Sequence, residues 1–518
     1  MPEDVQVVRH ADRMVIDIEH SSFGYKPVNF RTYRQSTQWH EVMIAGPVAN
    51  CTGRSGNSFP GMYYYHPTQR TQWVVMVDGP VDWRECRLGV APRNGALELG
   101  LFSTGTIAPD AKLKVWHSKF DDVPSQWQAL ETLVTTSFQL SPLPKRSGAT
   151  PNWVKLASRC LTGLSSPRGI HPLAGQLGGV AYHSMLDEYQ TIYARPKAYI
   201  ELICQTSIAR ALHRAAQHIP LEGGAEISQR LTEGVIPHFF NSTLGLFENT
   251  YSGEGAQNSP RRKHAVLETW YALSSLSDIL YLCAAFPHDE VLRRQAGQAV
   301  STWLAIGRDI GHIFPLFLDV ITRESQGGKL NVAVGGLYAG VMLSAATLFP
   351  QRADEFKAEA AQALTVLRRF PLQQMFHQPE MLAGAAESAF LLGAEDRSYD
   401  RMGEDFLHAL LLMQYRDAVN GGLFEGCAGM MYPTFRESVA SLLTLASLGH
   451  RVPQLPVRSI CESGVARCYR FLKYYDRRAV FPTEGLATKE VPDGANVGTA
   501  IYAAGGVFDL AYLQKALK

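Results

Sequence analysis

The chain carries almost no net charge: Lys plus Arg number 49 against 48 for Asp plus Glu, leaving +1. That balance removes any composition argument for bulk nucleic-acid or anionic-membrane binding. The one basic run, 259–264, is only a few residues long and reads equally well as a solvated loop. No window reaches the roughly 18 consecutive apolar residues of a membrane-spanning helix. The opening stretch MPEDVQVVRHADRM contains acidic residues and no apolar secretory core, so a cytoplasmic location is expected. The eight cysteines are scattered without a CxxC pair, and several fall inside apolar helical patterns. Reduced, buried thiols are expected, with neither a disulfide framework nor a zinc site. Phosphate-binding glycine loops, an HExxH zinc helix and a GxSxG elbow are also missing, as is a DxDD acid. The sequence therefore implies no metal and no cofactor.

What is present divides by pattern. At 518 residues the chain is too long for one ordinary core. Residues 1–123 are rich in short β-like runs: 5–8, 14–18, 62–65, 72–77, 97–102 and 113–116. Turn residues separate them, notably Asp78-Gly79-Pro80 and Arg93-Asn94-Gly95. This spacing predicts an antiparallel β-sandwich. Tyr63, Tyr64, Tyr65 and Trp73 could form a stacking face, but core positions are the commoner use of such residues. Residues 124–150 hold one helical piece and then a Pro, Ser and Gly cluster, the signature of a linker.

From 151 to 518 the apolar spacing becomes helical, in two alternating kinds. Segments 196–217, 264–286, 332–348, 380–393, 433–449 and 495–515 are apolar nearly all round and rich in small residues. Segments 226–240, 289–306, 351–369, 399–413 and 457–472 are amphipathic, with 178–190 or 152–163 as a sixth. A helix apolar on every side must be buried, whereas an amphipathic one has a wet face. Strict alternation is a repeat signature. Six inner helices ringed by six outer ones make an (α/α)6 toroid, so the fold class is a β-sandwich followed by that toroid.

In a toroid every loop from an outer to an inner helix emerges on one rim. The loops are 171–195, 241–263, 307–331, 370–379, 414–432 and 473–494. Three phrases recur as candidate anchors: Gly245-Leu246-Phe247, Gly336-Leu337-Tyr338 and Gly422-Leu423-Phe424. Polar groups concentrate around them, most densely in 238–270. Carboxylates across a bond suit acid/base hydrolysis, and a Tyr or His base beside an Arg suits proton abstraction next to a uronate. The candidate catalytic residues are Glu248, Tyr251, Glu254, His264, Glu425 and Asp187. The candidate substrate-binding residues are Asn249, Arg262, Trp270, Tyr338, Glu387, Tyr432, Arg436, Tyr475, Glu484 and Asn496. Bland roles stand beside these. Glu268 and Glu437 lie where a carboxylate merely stabilises a helix dipole, by roughly 0.3–1 kcal/mol. Glu387, inside an Ala-rich helix, must be paired or line a cavity, because an unpaired buried carboxylate is costly.

The layout, together with the phrase Gly245-Leu246-Phe247-Glu248-Asn249-Thr250-Tyr251, resembles the (α/α)6-toroid carbohydrate-active enzymes. These include six-hairpin glycosidases, glucuronyl C5-epimerase-like proteins and some polysaccharide lyases. The resemblance rests on architecture, and no catalytic role carries over residue by residue. It implies an enzyme acting on an oligo- or polysaccharide by hydrolysis, or by elimination or epimerisation of a uronic acid. Two other readings compete: a cyclase enclosing an apolar substrate in an aromatic-lined cavity, and a non-catalytic glycan binder. A glycan or small-molecule substrate is the only partner implied.

Overall fold

The computed structural model describes residues 8–9, 13–18, 33–35, 38–40, 42–43, 51–54, 59–66, 70–79, 81, 86–93, 96–122, 124–144, 150–167, 169–170, 174–175, 177, 180–183, 200–249, 265–376, 378–426, 432–474, 479–486 and 501–518. The N-terminal part is antiparallel β. Its strands are β1 (Val8–Arg9), β2 (Arg13–Ile18), β3 (Tyr33–Gln35), β4 (Gln38–His40), β5 (Val42–Met43), β6 (Cys51–Arg54), β7 (Gly61–His66), β8 (Thr71–Asp78), β9 (Cys86–Arg93), β10 (Ala96–Ser103) and β11 (Lys112–Lys119). One sheet runs β1-β2-β10-β9 and another β11-β8-β7-β6-β5. Arg93 pairs with Ala96, the register set by the two-residue Asn-Gly connection. Met14, Leu88, Leu99 and Leu101 from the first sheet share an apolar cluster with Met62, Tyr64, Val75 and Val77 from the second. Tyr63 and Tyr64 are buried, so they serve as core. Among the described residues, 1–123 forms small antiparallel sheets.

Helix α1 (Gln126–Leu140) follows, opened by a reciprocal capping box between Ser125 and Gln128. Its apolar residues join Phe59, Tyr63 and Val74 in the same core as the helices that follow. Arg416 fastens this junction. Its guanidinium stacks 3.9 Å from the Phe138 ring and donates to Ser137 Oγ, Ser137 O and Ser141 O.

Twelve long helices make the rest. The inner ones are α3 (Leu202–Ala216), α5 (Thr269–Ala285), α7 (Val334–Leu348), α10 (Pro379–Gly393), α12 (Phe435–Leu448) and α14 (Gly505–Ala516). The outer ones are α2 (Trp153–Leu164), α4 (Gly224–Gly234), α6 (Glu290–Asp309), α8 (Ala353–Arg369), α11 (Ser398–Leu411) and α13 (Val457–Arg467); α9 (Leu372–Met375) is a single turn. Each inner helix packs on the next, and α14 packs back on α3, closing the ring. The sixth outer helix is the 152–163 candidate, since Asn152 caps α2 by accepting from Lys155 N.

Two anchor phrases behave as the sequence suggests. Gly245 and Gly422 take positive φ of 64° and 95°, while Leu246, Phe247, Leu423 and Phe424 are buried. Gly336-Leu337-Tyr338 does not lie in a loop but within α7. There Gly336 permits contact with α10, because a Cβ would sit 2.4 Å from Met381 O.

Candidate active site

Chain direction alternates between the rings, so all six inner helices present their N-termini at one rim. Glu380 enters in the first turn of α10 and Glu437 in the first turn of α12, the next helix round. Both are buried. Trp270, at the start of α5, reaches in from two places round the ring, and its Nε1 donates to Glu380 Oε1 at 3.1 Å. Glu380 Oε2 is buried with no hydrogen-bond partner. The Arg436 guanidinium lies 5.1 Å from the Trp270 ring centre, and its Nη1 is likewise buried without a partner. Tyr271 stacks on Trp270 with ring centres 4.3 Å apart.

The electrostatics single out the two carboxyls. Burial, reinforced by the charge of Glu437, pushes the Glu380 carboxyl up to about 8. Burial also raises Glu437, against the opposing pull of Arg436. A helix N-terminus favours a carboxylate by about 0.3–1 kcal/mol. The Glu380 shift corresponds to roughly 5 kcal/mol in the other direction, so desolvation decides. Two buried acids at one level do not both ionise readily. Arg436 opposes the rise of both carboxyls. Tyr502, ahead of α14, is raised well above its usual range by burial and then by Glu484 and Glu437.

Below this level the inner helices repeat the arrangement seven residues on. Tyr271, Glu380, Glu437 and Tyr502 are followed by Asp278, Glu387, Thr444 and Asp509. Seven residues are two turns, about 10.5 Å of helix. Arg210 of α3 joins this deeper layer, pairing with Asp278 at 2.8 Å and Asp509 at 3.6 Å. Thr206 Oγ1 donates to Asp278 Oδ2 at 3.2 Å, and Thr444 Oγ1 donates to Glu387 Oε1 at 2.6 Å. Burial raises the Glu387 carboxyl, while the Thr444 hydrogen bond, Arg210 and Arg214 oppose it. Since α3 stands opposite α10 in the ring, Glu387 faces the central channel.

The candidate residues fall into four groups. Trp270 and Arg436 meet beside Glu380, Glu484 O accepts from Phe435 N–H at the start of α12, and Glu387 lies in the layer beneath. Asn249 sits at the same rim, but its Oδ1 accepts from Ile203 N and its Nδ2 donates to Glu201 Oε1, so it caps α3. Glu248 is half-buried, with its backbone N–H bonded to Phe239 O. Glu425 is fully buried in a bridge to Pro433, and Tyr432 packs into the core of the two sheets. Tyr338 lies in the wall between α7 and α8, where its hydroxyl donates to Glu359 Oε1 at 3.1 Å beside His312. Tyr251, Glu254, His264, Asp187, Arg262, Tyr475 and Asn496 lie outside the described residues. The sequence candidates include neither Glu380 nor Glu437, the latter reading as a dipole cap. Their pairing was invisible because 57 residues separate them.

Among the described residues no group of His, Cys, Asp or Glu is placed to hold a metal ion. None of the described helices is long and apolar enough to cross a membrane. An apolar cyclase cavity with a single isolated acid finds no support here, since two carboxyls share one level above a charged layer.

No protein-family model and no curated protein matches this chain. Solved structures match its shape. A D-mannose isomerase is 8% identical with a TM-score of 0.50, over 71% of this chain and 99% of that one. Cellobiose 2-epimerase from Bacillus thermoamylovorans B4167 is 10% identical with a TM-score of 0.50, over 67% and 96%. The fold is that of the (α/α)6-toroid carbohydrate-active enzymes. At such identities the likeness speaks of the toroid alone. It fits the closed ring, and the carboxyl pair stands at the rim where the N-termini of the inner helices of this toroid converge.

Proposed function

We propose that the chain is a carbohydrate-active enzyme that performs acid/base chemistry on an oligo- or polysaccharide in the toroid cavity. The observation that carries this is the buried Glu380–Glu437 pair, two carboxyls whose ionisation burial opposes, beside the Trp270 and Tyr271 rings. Glu380 is the acid: its proton stays on at neutral pH and can pass to a glycosidic or ring oxygen. Glu437 is the base or nucleophile. Trp270 orients Glu380 through its N–H and offers an apolar ring to a sugar face. The two similar structures are a D-mannose isomerase and a cellobiose 2-epimerase, which accords with a sugar substrate here.

Hydrolysis is the first form of this chemistry. Elimination or epimerisation of a uronic acid is the second, favoured by Arg436, whose unpartnered Nη1 could neutralise a substrate carboxylate. A panel of neutral and uronate-containing glycans, assayed in deuterated water, tests both forms. Bond cleavage without carbon-bound deuterium identifies hydrolysis, and deuterium at a sugar carbon identifies proton abstraction. Either activity should vanish in Glu380→Gln and Glu437→Gln. Glycan binding with neither outcome in the parent protein would leave a binding module and overturn the reading.

A further inference from the structure

Exposure along the channel face of α10 runs opposite to what a site reached only from the rim requires. Glu380 is 8% exposed, Gly384 is half-buried, Glu387 is exposed and Leu391 is 62% exposed. These residues share one face, since three or four positions bring a helix back on itself. Their neighbours follow the same trend. Thr347 on α7, Ser447 on α12 and Gln217 just beyond α3 are exposed near the far ends of the inner helices. Glu387 is therefore wet, although it faces Arg210 and Arg214 across the ring and its pKa is raised by surrounding protein.

Between the two layers the channel face is narrow-sided. Gly384 stands between Glu380 and Glu387, and Gly506 between Tyr502 and Asp509. A Cβ at Gly384 would meet Leu337 Cδ2 at 3.4 Å and Gly336 O at 3.5 Å, ordinary contact with α7, so a small side chain is accommodated there without a clash. Above it, the buried Glu380 Oε2 has no protein partner. A hydrogen-bonding atom so placed has water as its natural partner.

We propose that the far mouth of the toroid is the water and proton entrance of the Glu380–Glu437 pair, with Glu387 as the exchanging group at its threshold. The proton-transfer part rests on the acid/base reading above; the entrance itself does not. After a turnover that leaves Glu380 ionised and Glu437 protonated, the pair must be reset. Glu387 takes the Glu437 proton through water in the gap and releases it to bulk solvent. It then accepts a proton from solvent and passes one inward to Glu380, so protons entering and leaving are equal. The charged groups facing Glu387 are Arg210 and Arg214 of α3, with Asp278 of α5 and Asp509 of α14 paired to those arginines.

The entrance is tested by thiol labelling of the full chain. Gly384→Cys should react with a small methanethiosulfonate reagent, with modification mapped to the α10 peptide by mass spectrometry. Leu391→Trp in the same chain should slow that reaction severalfold by plugging the mouth. Labelling that Leu391→Trp leaves unchanged means access from the rim and overturns the proposal, as does failure to label. Should Gly384→Cys misfold, Glu387→Cys gives the same readout. The proton role is tested by turnover. Glu387→Gln should lower kcat by up to ~10²-fold, the lower end of what a positioned proton-transfer group contributes, with KM unchanged. Formate should restore that rate in Glu387→Gln but not in Glu380→Gln. A loss that formate does not restore assigns Glu387 a purely structural part. No turnover in the parent protein sinks the acid/base reading while leaving the labelling result to decide the entrance.

Discussion

The indole of Trp270 donates to Glu380 Oε1 at 3.1 Å, joining the first turns of two inner helices that are not neighbours in the ring. The bond runs to an acid that burial keeps neutral, so it orients a proton donor rather than pairing a charge. Arg436, from a third helix, covers the same indole at 5.1 Å. Three helices thus meet through one side chain.

Replacing Glu380 by Gln should abolish turnover and stabilise the protein in alkali. The folded carboxyl keeps its proton to about 8, whereas an unfolded chain ionises near its ordinary 4.5. Between those values the unfolded chain binds fewer protons. The contribution of the neutral carboxyl is therefore full at low pH and lost as pH rises towards 8. Gln cannot ionise, so at pH 8 the variant should exceed the parent by about 2 kcal/mol or more in urea unfolding. Equal stability of the two at pH 8 would show that Glu380 is not held neutral.

Trp270→Phe removes the N–H that holds Glu380 down. The Glu380 carboxyl should rise further, moving the alkaline limb of the kcat/KM profile to higher pH. An unmoved limb would separate this hydrogen bond from the acid that acts in turnover.

Tyr338→Phe should cost about 1 kcal/mol of stability, the worth of one ordinary hydrogen bond, and leave turnover intact. Its hydroxyl serves Glu359, which is also held by His312 Nε2 at 2.6 Å and Arg308 Nε at 2.9 Å. A changed KM would return Tyr338 to the substrate-binding set.

His408 is fully buried on α11, and burial pulls it down to about 4 from an ordinary 6.5. The unfolded chain binds the extra proton between those values, so stability is lost as pH falls from 6.5 towards 4. His408→Leu should flatten the melting temperature across that window. A slope like that of the parent would place the acid sensitivity elsewhere.

Arg416→Ala should lower stability by about 2–4 kcal/mol, because it strips donors from Ser137 and Ser141 carbonyls at a buried junction. Burial already pushes the guanidinium down to about 9. If α1 is only a passive linker, urea unfolding of the variant will match the parent.

The alternation of all-round apolar and amphipathic segments was enough to read six inner and six outer helices, because burial on every side leaves a composition that a half-wet helix cannot have. Short runs with Asn-Gly and Asp-Gly turns were enough for antiparallel strands. The anchor of α1 was not legible in the sequence. Arg416 reads as one more polar rim residue until its 275-residue jump to Ser141 is seen. The sequence likewise named Trp270, Arg436 and Glu484 as candidate substrate-binding residues. It could not say that Asn249 is used up as a cap, that Tyr432 serves the sheets, or that Tyr338 turns into the wall. Those outcomes depend on helix rotation about its own axis, which the packing of neighbours sets. The pairing of Glu380 with Glu437, and the second layer seven residues beneath, came only with closure of the ring. Local pattern is a property of one helix, whereas such a pair needs two carboxyls from different helices brought into one dry space.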